Sequence, residues 1–295
     1  MAIEETETDQ ITGRRTTGHI WNGIKELDTP IPRGVLIFLI VTHLFAALWW
    51  VLHPAWPLGT TYTKGLIGGD QKQTVERKIV EAAASRVPWT ERIEKDSFDQ
   101  IRADGELMAK VDSSGHQLFG DNCAACHGRD GKGGQNYPDL TDDDWLWGGE
   151  PERIVETMTV GVNSRHSNSR VSQMPAFGAD EMLDRKQVTD VGAYVYSLSS
   201  KETSDAEVLG DIEAGHQVFL ASCVSCHGED AKGKADLGAP NLTDGRWIYD
   251  GTLSGIIETV HGGRQGHMPT WDERLTPAEI KILALYVSGL GGKQP

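Results

Sequence analysis

A chain of 295 residues with 38% hydrophobic and 24% charged residues has the size and composition of about two ordinary globular domains. Its net charge of −15 argues against nucleic acid as a partner. It suits a basic soluble partner steered by charge, or simply a soluble acidic surface.

Residues 1–19 are polar, rich in Thr and Glu, and read as a disordered or loosely held cytoplasmic tail. The next stretch, Trp21 to Arg33, contains Pro30 and Pro32, which exclude a regular helix and predict an irregular pre-membrane segment. From Gly34 to Leu52 no side chain is charged at neutral pH, which is long enough to span a hydrocarbon core as one helix. Trp49, Trp50 and Trp56 lie at one end and Trp21 before the other, as interfacial aromatics do. The run begins late and ends in bulky residues rather than a small-residue cleavage site, so a retained anchor is expected rather than a signal peptide. His43 sits mid-span, where a packing hydrogen bond to a partner helix is the simplest expectation.

Residues 53–110 read as a connector. Val75, Ile79, Val80 and Ala83 recur at helical spacing, Pro88 is expected to end that helix, and Phe98, Ile101 and Leu107 suggest another helical stretch.

Cys123-Ala124-Ala125-Cys126-His127 follows, and recurs as Cys223-Val224-Ser225-Cys226-His227. A C-x-x-C-H run is the attachment pattern of c-type haem. Two thiols one helical turn apart each form a thioether to the porphyrin, and the next His is directed at the iron. All four cysteines of the chain lie in these two motifs, leaving none for disulfides. A zinc site or a redox dithiol would not need a His after each second Cys. Two covalent haem c groups are therefore expected, and because their attachment takes place outside the cytoplasmic membrane, so is a periplasmic location for this half.

The two motifs belong to an internal duplication. Gly115-His116-Gln117-Leu118-Phe119 matches Gly215-His216-Gln217-Val218-Phe219, and Pro138-Asp139-Leu140-Thr141-Asp142 matches Pro240-Asn241-Leu242-Thr243-Asp244. Ile154-Val155-Glu156-Thr157 matches Ile256-Ile257-Glu258-Thr259, Met174-Pro175 matches Met268-Pro269, and Tyr194-Val195 matches Tyr286-Val287. The first copy has extra residues, including Asn163 to Arg170, expected as a surface loop and contact site. Each repeat resembles a small class I cytochrome c domain, in which the first and last helices cross. The expected fold is all-α: one transmembrane helix, then cytochrome domains at 111–200 and 208–292.

Met174 and Met268, each rigidified by a following Pro, resemble the Met-Pro ligand loop of small cytochromes c and are the expected sixth ligands beside His127 and His227. His116, His166, His216, His261 and His267 are competing donors; His116 and His216 suit packing or a propionate hydrogen bond better than ligation. Local pairing of each Met with its own repeat is the default expectation, although tightly packed duplicated domains could exchange these loops. With His and Met on both irons no coordination position stays open, so electron transfer is expected and no catalytic residue is assigned.

The order of elements is similar to the membrane-anchored diheme cytochrome c subunit (subunit III, CcoP/FixP) of cbb3-type cytochrome c oxidases. The segment Trp21-Asn22-Gly23-Ile24-Lys25-Glu26-Leu27-Asp28-Thr29-Pro30-Ile31-Pro32-Arg33 resembles that family's D-G-I-x-E-L-D-N-P-x-P-R-W signature, with departures at Asn22, Thr29 and Gly34. The resemblance implies a donor cytochrome c as electron source. It also implies a monohaem cytochrome c subunit and a haem–copper catalytic subunit as partners in a bacterial inner membrane.

Overall fold

The computed structural model describes residues 2–3, 5–199 and 210–291; the gap expected between the repeats, 201–207, and the expected domain bounds at 200, 208 and 292 lie outside them. The chain divides into two compact units, Met1–Ser85 and Arg86–Pro295.

The first unit opens with a small antiparallel sheet of β1 (Ala2–Ile3), β2 (Thr16–Trp21) and β3 (Ile24–Leu27) in the order β1-β2-β3. This corrects the reading of residues 1–19 as a disordered tail. Trp21 pairs with Ile24 across Asn22 (φ 52°) and Gly23 (φ 85°), a two-residue turn with both central residues left-handed. Asn-Gly is the dipeptide that tolerates this geometry, and the turn's twist matches that of the strands. Thr16 is buried, its hydroxyl accepting the Glu7 amide at 3.0 Å.

Helix α1 (Arg33–Leu52) starts directly after Pro32, and among the described residues it is the one helix long and apolar enough to cross a membrane. His43 is satisfied within its own helix, Nδ1 donating to the Leu39 carbonyl at 2.7 Å. Helix α2 (Gln71–Lys95) runs through Pro88 instead of stopping there. The proline forfeits one backbone hydrogen bond. Locally, the Thr90 hydroxyl donates to the Arg86 and Val87 carbonyls, and one turn later Ile93 is fully buried. The apolar burial offsets the loss.

The second unit holds α3 (Phe98–Ala103), α4 (Gly105–Asn122), α5 (Ala124–His127), α6 (Pro151–Val160) and α7 (Arg185–Ser199). The second repeat supplies α8 (Ile212–Ser222), α9 (Val224–His227), α10 (Leu253–Gly262) and α11 (Pro277–Ser288). Helix starts follow the capping rules. Ser97 and Gln100 form a capping box on α3, Thr276 and Glu279 another on α11, and Asp104 and Asp211 cap α4 and α8.

Two cores form, and each takes helices from both repeats. In one, Phe119, Ile154 and Met158 of the first repeat pack with Ile280, Leu283, Ala284 and Val287 of α11. In the other, Phe219, Ile256 and Val260 of the second repeat pack with Leu183, Val188, Val191 and Val195 on and before α7. Thus α4 crosses α11 and α8 crosses α7, rather than each first helix meeting the last helix of its own repeat. A third cluster joins Ile93, Ile101, Leu107 and Val111 to Ala278, Ile282 and Leu285, docking the end of the connector on α11.

Glycines permit both crossings. A Cβ on Gly115 would lie 2.6 Å from Tyr286 Cβ, and one on Gly215 would lie 2.0 Å from the Asp190 carbonyl oxygen. The core around Phe219 is built entirely from one continuous stretch, Met174 to Val260, while the core around Phe119 takes its members from both sides of that stretch. In space the chain leaves one cytochrome core, builds the second, and returns to finish the first.

Candidate haem-binding sites

In each site the C-x-x-C-H run forms a single helical turn directly after the long first helix, α5 after α4 and α9 after α8. Cys123 and Cys223 are half-buried at the core edge, while Cys126 and Cys226 are exposed; none forms a disulfide. Burial pushes the Cys123 and Cys223 thiols up to about 11. Gly128 (φ 75°) and Gly228 (φ 79°) turn the chain immediately after each His, in a conformation that favours glycine.

The two histidines are oriented alike. His127 Nδ1 donates to the Pro138 carbonyl at 3.2 Å, and His227 Nδ1 donates to the Pro240 carbonyl at 3.1 Å. A proton fixed on Nδ1 leaves Nε2 with its lone pair for a metal, the usual arrangement of a ligating imidazole whose other nitrogen donates to a carbonyl. Burial also holds both imidazoles below the ordinary His pKa, which favours the neutral, ligating form. Trp145 and Trp247 pack at equivalent places against the two cores.

The methionines lie where the exchanged helices lead. Met174 packs in the core of Phe219, Cys223 and Val224, and Met268 in the core of Phe119, Cys123 and Ala124. Met174 exchanges backbone hydrogen bonds with Arg264 (2.8 and 3.0 Å), and Met268 with Val162 (both 2.9 Å). Two thiols, an oriented imidazole and a thioether on one core edge are the donor set of a covalent haem c with His–Met axial ligands. The residues fit the group. The two cysteine pairs sit at separate cores, Cys123 beside Phe119 and Cys223 beside Phe219.

Four of the competing histidine rings have other partners. His116 Nδ1 lies 3.2 Å from the Tyr286 hydroxyl, His216 stacks on Tyr194 at 4.8 Å, His166 pairs with Asp272 at 3.5 Å, and His267 Nδ1 donates to the Asn163 carbonyl at 2.9 Å. His261 offers its carbonyl to the Gly178 and Ala179 amides.

The extra residues of the first repeat are not a free surface loop. Arg170 stacks over Trp147 at 4.8 Å and pairs with Glu156 at 2.7 Å, and its side chain is 9% exposed. Arg264 reproduces this over Tyr249 at 4.6 Å, and each Arg lies four residues before its repeat's Met. Ser172 donates to the Gly238 carbonyl, joining the insertion to the other core. The faces of the two cores also meet through Arg246 and Asp144 at 2.6 Å, and through the Asn136 amide on the Ile248 carbonyl. The paired Arg-to-Met spacing was the signal available in the sequence.

Fold and site together define a membrane-anchored protein carrying two cytochrome c-type cores. The model "N-terminal domain of cytochrome oxidase-cbb3, FixP" matches residues 13–60, and "Cytochrome C oxidase, cbb3-type, subunit III" matches residues 111–195 and 210–287. The chain is 42% identical over 289 residues to the cbb3-type cytochrome c oxidase subunit FixP of Bradyrhizobium sp. (strain ORS 278), covering 98% of this chain and 99% of the relative. It is 40% identical to subunit CcoP of Azospirillum sp. (strain B510), with 96% and 97% covered, and 42% identical to subunit CcoP of Cereibacter sphaeroides, with 94% of each covered. The chain belongs to the cbb3-type cytochrome c oxidase subunit III family.

Proposed function

We propose that this chain is the diheme electron-relay subunit of a cbb3-type oxidase. It takes single electrons from a donor cytochrome c and passes them toward a monohaem cytochrome c subunit and the haem–copper subunit that reduces oxygen to water. Cys123 and Cys126 hold one haem c, and Cys223 and Cys226 hold the other. Bound haem c supplies a reversible one-electron iron couple. The chain's residues do the rest. His127 and His227 would hold the iron through Nε2, with the Pro138 and Pro240 carbonyls fixing their rings. Met174 and Met268 would supply thioether ligands, and such ligation would raise the potential relative to two imidazoles.

The observation that carries this reading is the repeated grouping of two thiols, an oriented His and a Met-Pro loop on one core edge. Helix α1 anchors the chain in the bacterial inner membrane, with the N-terminus cytoplasmic and both cores periplasmic. The chain performs no bond chemistry itself. Membranes solubilised in mild detergent and purified through this chain should yield haem b and copper with the two haem c groups. A lone diheme polypeptide would instead mark a free-standing shuttle and overturn the oxidase assignment.

A further inference from the structure

We propose that residues 53–69 form a lipid-embedded collar at the C-terminal end of α1, with Leu66 and Ile67 seated against the acyl chains of that leaflet. This rests on the reading of α1 as a membrane anchor, and it commits the collar to one occupant, phospholipid.

The collar is built by hydrogen bonds. After α1 the chain makes a short hairpin, the Leu58 amide donating to the Thr61 carbonyl at 2.6 Å and the Thr63 amide to the Trp56 carbonyl at 2.9 Å. The Thr63 hydroxyl accepts the Ala55 and Trp56 amides of the other arm. The chain then returns to the helix. The Leu66 amide donates to the Val51 carbonyl and the Ile67 amide to the Leu52 carbonyl, both at 3.0 Å. Gly65 (φ 68°) permits this return, since a Cβ there would lie 2.3 Å from the Leu52 carbonyl oxygen.

Those two returning bonds fix a depth. A helix of 20 residues rising about 1.5 Å per residue matches a hydrocarbon core roughly 30 Å thick, so Val51 and Leu52 lie at its far edge. Leu66 and Ile67, bonded to them, lie at the same edge. The last carbonyls of a helix have no partners within it, and an unpaired carbonyl is costly where water is scarce. Here the collar's own amides satisfy them.

The side chains suit that depth. Leu66 is 79% exposed and Ile67 61%, and Trp56 and Leu58 are exposed beside them. Between Val51 and Gly69 the only Asp, Glu, Lys or Arg is Lys64, whose long aliphatic stem lets its charge reach the headgroups. Trp50 meets Trp56 edge-on at 5.0 Å, so the apolar surface of the collar continues the lipid-facing surface of α1 through aromatics that favour the interface. The collar also starts the next helix. The Tyr62 hydroxyl donates to Asp70 Oδ1 at 2.7 Å, and the same oxygen accepts the Lys72 amide at 2.9 Å. Helix α2 therefore begins from a point tied to the membrane surface.

The test uses the full haem-loaded chain in native membranes opened on both faces. Single cysteines are placed by substitution, and the blank is the wild-type chain, whose own cysteines lie in the haem motifs. A membrane-impermeant maleimide reads access to water. E76C, on the exposed face of α2, gives the rate in water, and L44C, mid-span on α1, the rate in lipid. L66C should label about tenfold or more slowly than E76C, because apolar surroundings raise a thiol's pKa by about a unit or more and deplete the reactive thiolate. L66C labelling as fast as E76C overturns the collar. L44C labelling as fast as E76C overturns the anchor reading instead, so the two failures are distinguishable. The occupant is read with a photoreactive diazirine side chain in place of Leu66. Illumination should give adducts whose added mass is that of a phospholipid. A crosslink to another polypeptide or to another part of this chain, or adducts with water alone, overturns lipid as the occupant.

Discussion

Gly215→Ala is the most direct perturbation of the packing on which the Cys223 site rests. The new Cβ would lie 2.0 Å from the Asp190 carbonyl oxygen, 2.5 Å from its carbonyl carbon and 2.9 Å from Tyr194 Cβ. Two of these three atoms are backbone, so no side-chain rotation relieves the clash and α7 must move away from α8. Replacing Gly by Ala inside a helix gains about 1 kcal/mol of propensity. Overpacking a core against unyielding atoms costs about 3 kcal/mol. The net loss is roughly 2 kcal/mol, on the order of a 10 °C drop in Tm for a core of this size. Gly120→Ala is the control, because a Cβ there meets nothing within 4 Å, and it should stabilise by up to about 1 kcal/mol. The assay is thermal unfolding of the haem-loaded chain followed at the His–Met band. A G215A variant as stable as G120A would refute the claim that α7 closes against α8.

Truncation after His267 removes Met268 and α11, so it should abolish the His–Met signature of the haem at Cys123 and spare that at Cys223, as pyridine-dithionite and far-red spectra of the truncated chain would show; loss at Cys223 instead would contradict the packing. Asn163→Ala leaves the Ser172 and Gly266 carbonyls without this donor and should cost about 1–3 kcal/mol in urea unfolding. Asp244 is held above the ordinary carboxylate range by burial, and its Oδ2 is buried without a hydrogen-bond partner. Because the folded carboxyl binds its proton more tightly than the unfolded one, it weakens the fold at neutral pH, and the penalty disappears as pH falls below about 4. D244N should therefore raise the urea midpoint at pH 7 and lose that advantage near pH 4. Gly23→Val forces a β-branched residue to φ 85° and should cost about 1–2 kcal/mol in the N-terminal hairpin, read as faster amide exchange across Thr16–Leu27 with both haem spectra unchanged.

Much of this architecture was legible in the residues. The paired C-x-x-C-H motifs, the repeat, the uncharged span and the Trp21-to-Arg33 segment pointed to the cofactor, the fold class and the family. Other features were obscured by competing effects. The hairpin was hidden in a polar stretch, although Asn22-Gly23 between Ile20 and Ile24 carries its turn signal. Pro88 read as a stop because its local cost is visible in sequence, whereas the burial of Ile93 that outweighs it is tertiary. The exchange of closing helices was illegible for a deeper reason. Gly115 and Gly215, Tyr194 and Tyr286, and the two Met-Pro loops are chemically interchangeable, so either pairing satisfies the same pattern. The extra stretch from Asn163 to Arg170 breaks that symmetry, and it is where the structure places the latch between the crossing strands.

The central claim, two His–Met centres with exchanged methionines, is tested most directly by an experimental density map of the haem-loaded chain at its two irons. The account predicts Met174 Sδ bonded to the iron of His227 and Met268 Sδ to the iron of His127. Each sulfur on the iron of its own repeat, or any ligand other than methionine in the sixth position, would contradict it.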